Sequence, residues 1–352
     1  MSNNSNTHSF VVRTLIVVSV VAGAAVLLYV LAYLAQMLLV IFGGVLFAIL
    51  LAALTDVLKR RLHLPRGIAL TLVIVAFFGL LVAVGWFAGP RVAEQFVRLG
   101  ERMPQAINEI QDALNQSEWG QSLLDALSQV SSLAPEGSDL MGRITGVFSS
   151  AMGAISGLLI VIFLGIYLAA QPKLYTDNAV LLLPKDKRWR AREIVDSIGQ
   201  ALRWWLVGRA ASMIVVGLLT ALGLWITGIP LPLSLGLLAA ALAFVPFIGP
   251  IISAIPAVLV ALTEDPILAI WVVIIYAGVQ LLESYVITPL IQQQAVYLPP
   301  AVLITMEILM AVLFGVVGIL LAAPITVVVI VAIQMLYIED VVGEHIRVMG
   351  KH

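Results

Sequence analysis

The sequence contains no cysteine, and this absence excludes several kinds of site at once. Disulfides, thiolate zinc ligands and cysteine nucleophiles all need a thiol group. Histidine is scarce as well: there are four, and none stands in a metal-binding spacing such as His-Glu-x-x-His. The sequence also has no Gly-rich phosphate-binding loop that ends in Gly-Lys-Ser/Thr. We therefore expect no bound metal and no cofactor.

Charged residues make up only 11% of the 352 residues, whereas hydrophobic residues make up 61% and the mean hydropathy is +1.08. A soluble domain has about 25% charged residues. A soluble chain of this length buries only about 75% of its surface on folding, so it could not hide so much apolar surface. A lipid bilayer is the solvent that such a chain needs. The net charge of −1 gives no reason to expect a nucleic-acid partner.

Apolar runs long enough to cross the hydrocarbon layer recur along the chain. One transmembrane helix needs about 20 apolar residues. The apolar stretch 11–54 is too long for one helix and predicts a tight helical hairpin that bends near 33–36. Further spans are expected at 67–89, 148–170, 207–228, 233–262, 267–289 and 301–337. The sequence therefore predicts an all-α, polytopic integral membrane protein with about eight transmembrane helices.

The positions of Lys and Arg predict how these helices are oriented. Basic residues concentrate in 56–66 and 171–209, whereas 90–147 contains more acidic than basic residues. Positively charged loops face the cytoplasm, so 90–147 is expected outside and both termini inside. Six segments result: spans one to three (1–89), an extracytoplasmic helical insert (90–147), the fourth span (148–170), a cytoplasmic amphipathic segment (171–206), a C-terminal transmembrane core (207–337) and a cytoplasmic tail (338–352).

Two polar segments show the apolar periodicity of amphipathic helices. The helices of 90–147 are expected to pack on each other or on the membrane surface; the alternatives are an oligomer contact or a lid. In 171–206, Ile194, Ile198, Leu202 and Trp205 form one apolar face. The basic start of this helix predicts an anchor on the inner leaflet.

Helix-breaking residues cluster inside the apolar runs of the C-terminal core. The segment 245–256 contains Pro246, Gly249, Pro250 and Pro256. Each proline removes a backbone donor and frees a carbonyl group, which must find another partner in hydrocarbon. Further breaks follow at Thr288-Pro289 and Leu298-Pro-Pro300. Interrupted helices are typical of substrate sites in transporters; the alternative is a simple kink or a re-entrant packing element.

Two acidic residues lie inside the predicted spans of this core. Glu283 shares a helix face with Gln280, and Thr288 follows it just before the break. A carboxylate in a span costs about 2.5–3.5 kcal/mol and marks an ion or substrate pathway more often than packing. Glu283 lies about 24 Å along its span, so the alternative is that it faces water at the far interface. Glu307 lies deep in the last apolar run, either as a neutral hydrogen-bonded acid or as part of proton coupling.

The last long span also carries a face of small residues. This face contains Gly315, Gly318, Ala322 and Ala323. Small residues of this kind predict close backbone packing between helices and need no ligand.

Several motifs in 182–343 occur in an order and spacing that together are specific. They are Leu182-Leu-Pro-Lys185, Trp204-Trp-Leu-Val-Gly-Arg209, Gly228-Ile-Pro230, Val245-Pro-Phe-Ile-Gly-Pro250, Ala254-Ile-Pro256, Gln280 with Glu283, Thr288-Pro289, Leu298-Pro-Pro300, Phe314-Gly315 and Leu321-Ala-Ala-Pro324. In these motifs, and in its whole layout, the chain resembles the autoinducer-2 exporter family of bacterial permeases, including its PerM-type members. Glu307 departs from the pattern, because a neutral residue such as Gln is expected there.

The resemblance implies a bacterial inner-membrane protein with eight spans that forms homo-oligomers and moves a small solute by efflux or exchange. Some relatives export autoinducer-2, and others have been assigned sodium–proton antiport. We therefore predict a secondary transporter that is coupled to a Na⁺ or H⁺ gradient and surrounded by lipid. The residues predicted to line its pathway are Gln280, Glu283, Thr288, Pro289, Pro246, Gly249, Pro250 and Glu307.

Three other functions are alternatives to this prediction. A passive channel formed by a homo-oligomer would also suit a polytopic chain, and a non-transporting scaffold would use 90–147 to recruit a partner. An intramembrane enzyme is disfavoured, because no predicted span contains the His or Asp that known catalytic arrangements need.

Overall fold

The computed structural model of the chain describes residues 34–87, 90, 94, 97, 157–287 and 298–344. Within these ranges the chain is almost entirely helical and contains no strand, which confirms the predicted all-α class. The first arm of the predicted N-terminal hairpin, nearly all of the 90–147 insert and the end of the tail lie outside the described residues.

Three helices form the N-terminal part: α1 (Leu34–Leu62), α2 (Arg66–Phe87) and α3 (Gly157–Ala170). Helices α1 and α3 run parallel, since Gly43 faces Val161 and, one turn later, Phe47 faces Gly165. The glycines allow the two backbones to approach closely. Helix α1 continues to Leu62, so most of the loop predicted at 56–66 is helical. The apolar pattern stops near 54, but a helix can extend beyond the hydrocarbon with a polar last turn.

Helix α4 (Pro172–Leu181) turns away from α3 by 87°. After a short 3₁₀ turn, α5 (Arg188–Ile226) runs without interruption for 39 residues. The predicted boundary between an amphipathic segment ending at 206 and a span beginning at 207 falls inside this one helix. At 1.5 Å per residue α5 is about 58 Å long, about twice the hydrocarbon thickness, so part of it extends beyond the hydrocarbon layer.

The apolar face predicted at the start of α5 packs inside the protein. Leu202 and Trp205 are buried in one apolar cluster with residues of α1 and the last helix, and Ile194 and Ile198 pack against it. This face therefore contacts protein, and the predicted inner-leaflet anchor at the basic start of the helix stays a prediction. Periodicity shows that a helix has an apolar face, but lipid and protein cover such a face equally well.

Helices α6 (Pro232–Leu242) and α7 (Ile248–Glu264) divide the predicted span 233–262. Between them Pro246 lacks a backbone donor and Phe247 adopts a left-handed conformation with φ of 56°. A Cβ atom at Gly249 would collide with the carbonyl oxygen of Leu242, so only glycine allows this close approach. We call α6 and α7 hairpin 1. Its arms of 11 and 17 residues are each shorter than the roughly 20 that cross a bilayer.

Helix α8 (Pro266–Leu282) begins at Asp265, whose carboxylate accepts a hydrogen bond from the N–H of Ile267. It ends in a π-helical turn, Glu283–Ile287. Helix α9 (Pro300–Ala332) continues into a π-helical segment, Ile333–Val342.

Helix α9 bends sharply at Gly315, whose φ of 59° and ψ of −140° are not helical. Met310 and Gly318 would be about 12 Å apart along a straight helix. Instead, a Cβ atom at Gly318 would collide with the Met310 carbonyl oxygen. The close contact of Gly318 is therefore made within its own helix, and the predicted packing of the small-residue face between helices stays a prediction. We call the two arms of α9 hairpin 2.

Hairpins 1 and 2 share one design. Each has proline at its first residue, a positive φ at its break and a proline in its second arm. The three matching pairs, each separated by the same number of residues, are Pro232 and Pro300, Phe247 and Gly315, and Pro256 and Pro324. The fold therefore uses one interrupted element twice.

The two hairpins enter the fold from opposite ends of α5. Helix α6 packs antiparallel on the C-terminal half of α5, where Gly217 and Ala221 meet Ala240 and Gly236, respectively. At the other end, Arg190 ion-pairs with residues of the π-helical segment that follows hairpin 2. Phe244 and Phe314, beside the two breaks, pack against the same apolar cluster. The break of hairpin 1 lies toward the middle of α5, where the ring centroids of Phe244 and Trp205 are 5.7 Å apart.

Five helices of the described part are long and apolar enough to cross a membrane, or six if α3 and α4 form one bent span. The structure is thus that of an all-α polytopic membrane protein. The predicted total of about eight stays a prediction, because it includes the segment 11–33, which is outside the described residues.

Candidate functional site

A buried ion pair lies where the broken elements meet the middle of α5. Nη1 of Arg209 donates to Oε1 of Glu283 at 2.9 Å, and the Ser212 hydroxyl donates to the same oxygen at 2.5 Å. Nε of Arg209 donates to the carbonyl oxygen of Phe244 at 3.1 Å. The side chains of Arg209 and Glu283 are only 10% and 5% exposed. One guanidinium therefore joins α5, α8 and the break of hairpin 1.

Local breaks create the groups that Arg209 binds. The N–H of Ile248 bonds to the Pro246 carbonyl, so the Phe244 carbonyl is left without its helical donor. Glu283 stands at the C-terminal end of α8 and opens the π-helical turn. The Phe244 carbonyl lies just beyond the C-terminus of α6, where the helix dipole favours a positive charge. Arg209 thus satisfies one helix end as well as a carboxylate.

The ion pair is held in place by its burial. A guanidinium stays charged in proteins, so Arg209 cannot relieve its burial by losing a proton. Removing one partner from a buried pair leaves the other uncompensated and costs about 3–5 kcal/mol. Glu283 and Arg209 therefore depend on each other, and any motion that separates them needs a replacement partner for each.

Glu307, in the first arm of hairpin 2, adds a second buried carboxylate. Its exposed fraction is 0%, and neither carboxylate oxygen has a hydrogen-bond partner in the described part of the chain. Glu307 and Arg209 are close enough to interact electrostatically. Nη2 of Arg209 is also buried without a hydrogen-bond partner among the described residues. Arg209 therefore carries the positive charge that lies near both buried acids, Glu283 and Glu307.

Residues 16–338 match the sequence model of one protein family, the AI-2E family transporters. The chain belongs to this family. This confirms the resemblance found in the motifs, and it makes the chain a multi-pass membrane protein of a transporter family.

Relatives of this AI-2E family member have names that also refer to transport. "Putative transport protein YueF" of Bacillus subtilis (strain 168) is 26% identical over 274 residues, which are 74% of each chain. "Putative transport protein YrrI" of the same strain is 26% identical over 297 residues, 80% of this chain and 81% of YrrI. "Putative transport protein MT0215" of Mycobacterium tuberculosis is 28% identical over 305 residues, 81% of this chain and 80% of that protein.

The structure places most of the predicted pathway residues of this AI-2E transporter in one region. Glu283 is buried in the ion pair and does not face water, whereas Gln280 donates to Ser284 at 3.4 Å and not to Glu283. Pro246, Gly249 and Pro250 form the break of hairpin 1 beside the Arg209 acceptor. Glu307 lies near Arg209, while Thr288 and Pro289 are outside the described residues. That these residues line a pathway stays a prediction.

Sequence reasoning missed Arg209 and Ser212. Arg209 belongs to the basic residues that predict orientation and ends the motif Trp204-Trp-Leu-Val-Gly-Arg209, but neither pattern assigns it to the pathway. One signal could have identified it: the segment from Ala210 to Asp340 contains Glu283 and Glu307 but no Lys, Arg or His. Carboxylates in hydrocarbon need a counter-charge, and Arg209 is the cation that immediately precedes that segment. No sequence signal identified Ser212.

Proposed function

We propose that this AI-2E family member is a secondary transporter whose solute crosses between the breaks of hairpins 1 and 2. The observation that carries the proposal is the buried pair of Arg209 and Glu283, placed where an interrupted helix meets the middle of α5. Ionisable residues at such depth mark substrate or ion paths in membrane proteins.

The opposed hairpins support this proposal. Transporters often build their central site from two discontinuous segments in matching positions of a repeated fold. Here the matching segments are hairpins 1 and 2, which reach the middle of α5 from its two ends. A movement of one hairpin against α5 would open the site toward one side, and a movement of the other would open it toward the opposite side.

The charges support coupling to an ion gradient. The region of Arg209 holds one cation and two carboxylates, so it can take up one positive charge together with, or in exchange for, a solute. The chain has no phosphate-binding loop of its own, so a gradient of Na⁺ or H⁺ is the simplest energy source. We propose a bacterial inner-membrane location, cytoplasmic termini and a homo-oligomeric assembly, in which a small solute such as autoinducer-2 is exported or exchanged.

The test is a flux assay on the full-length protein in liposomes of bacterial phospholipid. Autoinducer-2 is loaded inside, and its release is followed under an imposed Na⁺ gradient, an imposed pH gradient or neither. We expect one of the gradients to accelerate release. The Glu283→Gln variant should lose this acceleration, because the amide cannot hold Arg209 as the carboxylate does. Asp177→Asn is the matched control. It removes a carboxylate that is 51% exposed and pairs with Arg192.

Three results would contradict the proposal in different ways. Conductance through a planar bilayer without saturation or counterflow would make the protein a channel. Exchange of Na⁺ for H⁺ without movement of any organic solute would make it an antiporter. Gradient-driven flux that survives in Glu283→Gln would show that the pair of Arg209 and Glu283 is not the centre of the pathway.

A further inference from the structure

Glu307 is buried among apolar groups and has no hydrogen-bond partner in the part of the chain that the structure describes. Leu303 and Met310, one turn to either side of it on α9, both belong to the apolar cluster around α5. The hydroxyl of Thr305, which is close in sequence, donates to the carbonyl of Ala301. An isolated charged carboxylate is very costly in such surroundings, and a buried acid usually takes up a proton instead.

The neighbouring charges leave Glu307 short of a counter-charge. From α5, Arg209 faces both acids but binds Glu283 and the Phe244 carbonyl. Arg203, about two turns away on α5, is paired with Asp56 of α1 at 2.6 Å. From α8, Glu283 contributes a second negative charge and Tyr276 donates to the Ser253 carbonyl. With both acids ionised, the centre carries one uncompensated negative charge.

A proton suits this site better than a metal cation. Hard cations are held by several oxygen ligands at once. The two turns around Glu307 instead present Leu303 and Met310, and the described residues give its oxygens no polar neighbour. A proton needs only one carboxylate oxygen, and its binding removes the surplus charge.

We propose that Glu307 is a proton-binding site and that Arg209 changes its partner between Glu283 and Glu307 during transport. This inference rests on the proposed function. While Arg209 holds Glu283, Glu307 is a neutral acid. When Arg209 turns its Nη2 group toward Glu307, the O–H bond of Glu307 breaks, the proton passes to water in the opened site, and the new carboxylate is compensated by the guanidinium. The released Glu283 keeps its hydrogen bond from Ser212 and is solvated by the same water. Arg209 therefore pairs with Glu283 in the proton-loaded centre and with Glu307 in the solute-loaded centre.

The proton can be observed without any flux. Infrared spectra of the purified protein in detergent at neutral pH should show the carbonyl stretch of a protonated carboxylic acid, which shifts in D₂O. We expect Glu307→Gln to remove this band. Glu283→Gln should weaken it as well, because the freed Arg209 can then pair with the Glu307 carboxylate, whereas the control Asp177→Asn should retain it. The amide is an isosteric neutral substitute for the protonated acid, so the variant should fold; size-exclusion chromatography and thermal unfolding verify this.

The same variant is then tested in liposomes. We expect the pH gradient to accelerate solute release from the wild type and to have no effect on Glu307→Gln, while flux down the solute gradient continues. A band that persists in Glu307→Gln, or a pH-driven acceleration that survives in it, overturns the inference. A band that Na⁺ abolishes also overturns it, because Glu307 would then bind a metal cation. A wild type without flux, but with the Glu307 band, would reject the proposed transport and leave the proton site standing.

Discussion

Two arginines on α5 differ in how the protein neutralises the acids around them. Arg190, in the first turn, pairs with Glu193, Glu339 and Asp340 and donates to the Met335 carbonyl. Arg209, near the middle, pairs with Glu283 and lies near the unpartnered Glu307. In both clusters acids outnumber the cation.

Water accounts for the difference between the two clusters. Around Arg190, which is 16% exposed, the side chain of Glu339 is 11% exposed. Those of Glu193 and Asp340 are 28% and 40% exposed, so solvent stabilises the surplus negative charge there. Around Arg209, Glu283 and Glu307 are only 4% and 0% exposed. At the end of α5, solvent therefore stabilises the surplus negative charge. At the middle of α5, the same surplus is buried and requires one more positive charge.

The largest expected effect comes from removing the buried cation. Arg209→Gln leaves two buried acids and the C-terminal end of α6 without a positive charge, and we expect it to destabilise the protein by about 3–5 kcal/mol. Thermal unfolding in detergent measures this. The double variant Arg209→Gln with Glu283→Gln should recover part of the loss, because no charge remains unpaired on α8, yet it should not restore flux. Unfolding of the single variant at the wild-type temperature would contradict the assignment of Arg209.

A smaller effect should follow from disturbing the hairpin that supplies the Phe244 acceptor. In Gly249→Ala the new methyl group meets the Leu242 carbonyl, so the break must widen, and we expect a loss of about 1–3 kcal/mol together with reduced flux. Gly199→Ala is the control within α5 between the two arginines. Nothing approaches its Cβ position, and it should gain about 0.5–1 kcal/mol from helix propensity. Equal behaviour of the two variants would show that the tight break is unimportant.

The smallest effect is expected at the exposed end of α5. Arg190→Gln loses charged hydrogen bonds that water partly replaces, so we expect a loss of about 1–2 kcal/mol that shrinks at high salt, with flux retained. Arg192→Gln breaks a pair whose members are 57% and 51% exposed and should cost about 0–1 kcal/mol. Loss of flux in Arg190→Gln at normal stability would mean that this end of α5 takes part in transport.

Local chemistry made the break of hairpin 1 predictable. Pro246, Gly249 and Pro250 act on their own backbone, and the structure breaks the helix there. The bend at Gly315 escaped prediction, because one glycine without a nearby proline also fits close packing between helices. The charged partner of Glu283 also escaped prediction. Gln280 shares its helix face, but side chains on neighbouring helices approach more directly than those on one helix surface.

Composition alone determined that this chain is a helical membrane protein. No soluble fold can bury so much apolar surface, and in hydrocarbon every backbone group needs an internal hydrogen-bond partner. The sequence also located the first break and both buried acids, since these depend on single residues. Only the tertiary structure decided which charge meets them. Arg209 and Glu283 are 74 residues apart, and their pairing depends on how α5 and α8 pack, which no local pattern encodes. Burial then turned an ordinary pair of acids and an arginine into a centre that lacks one positive charge.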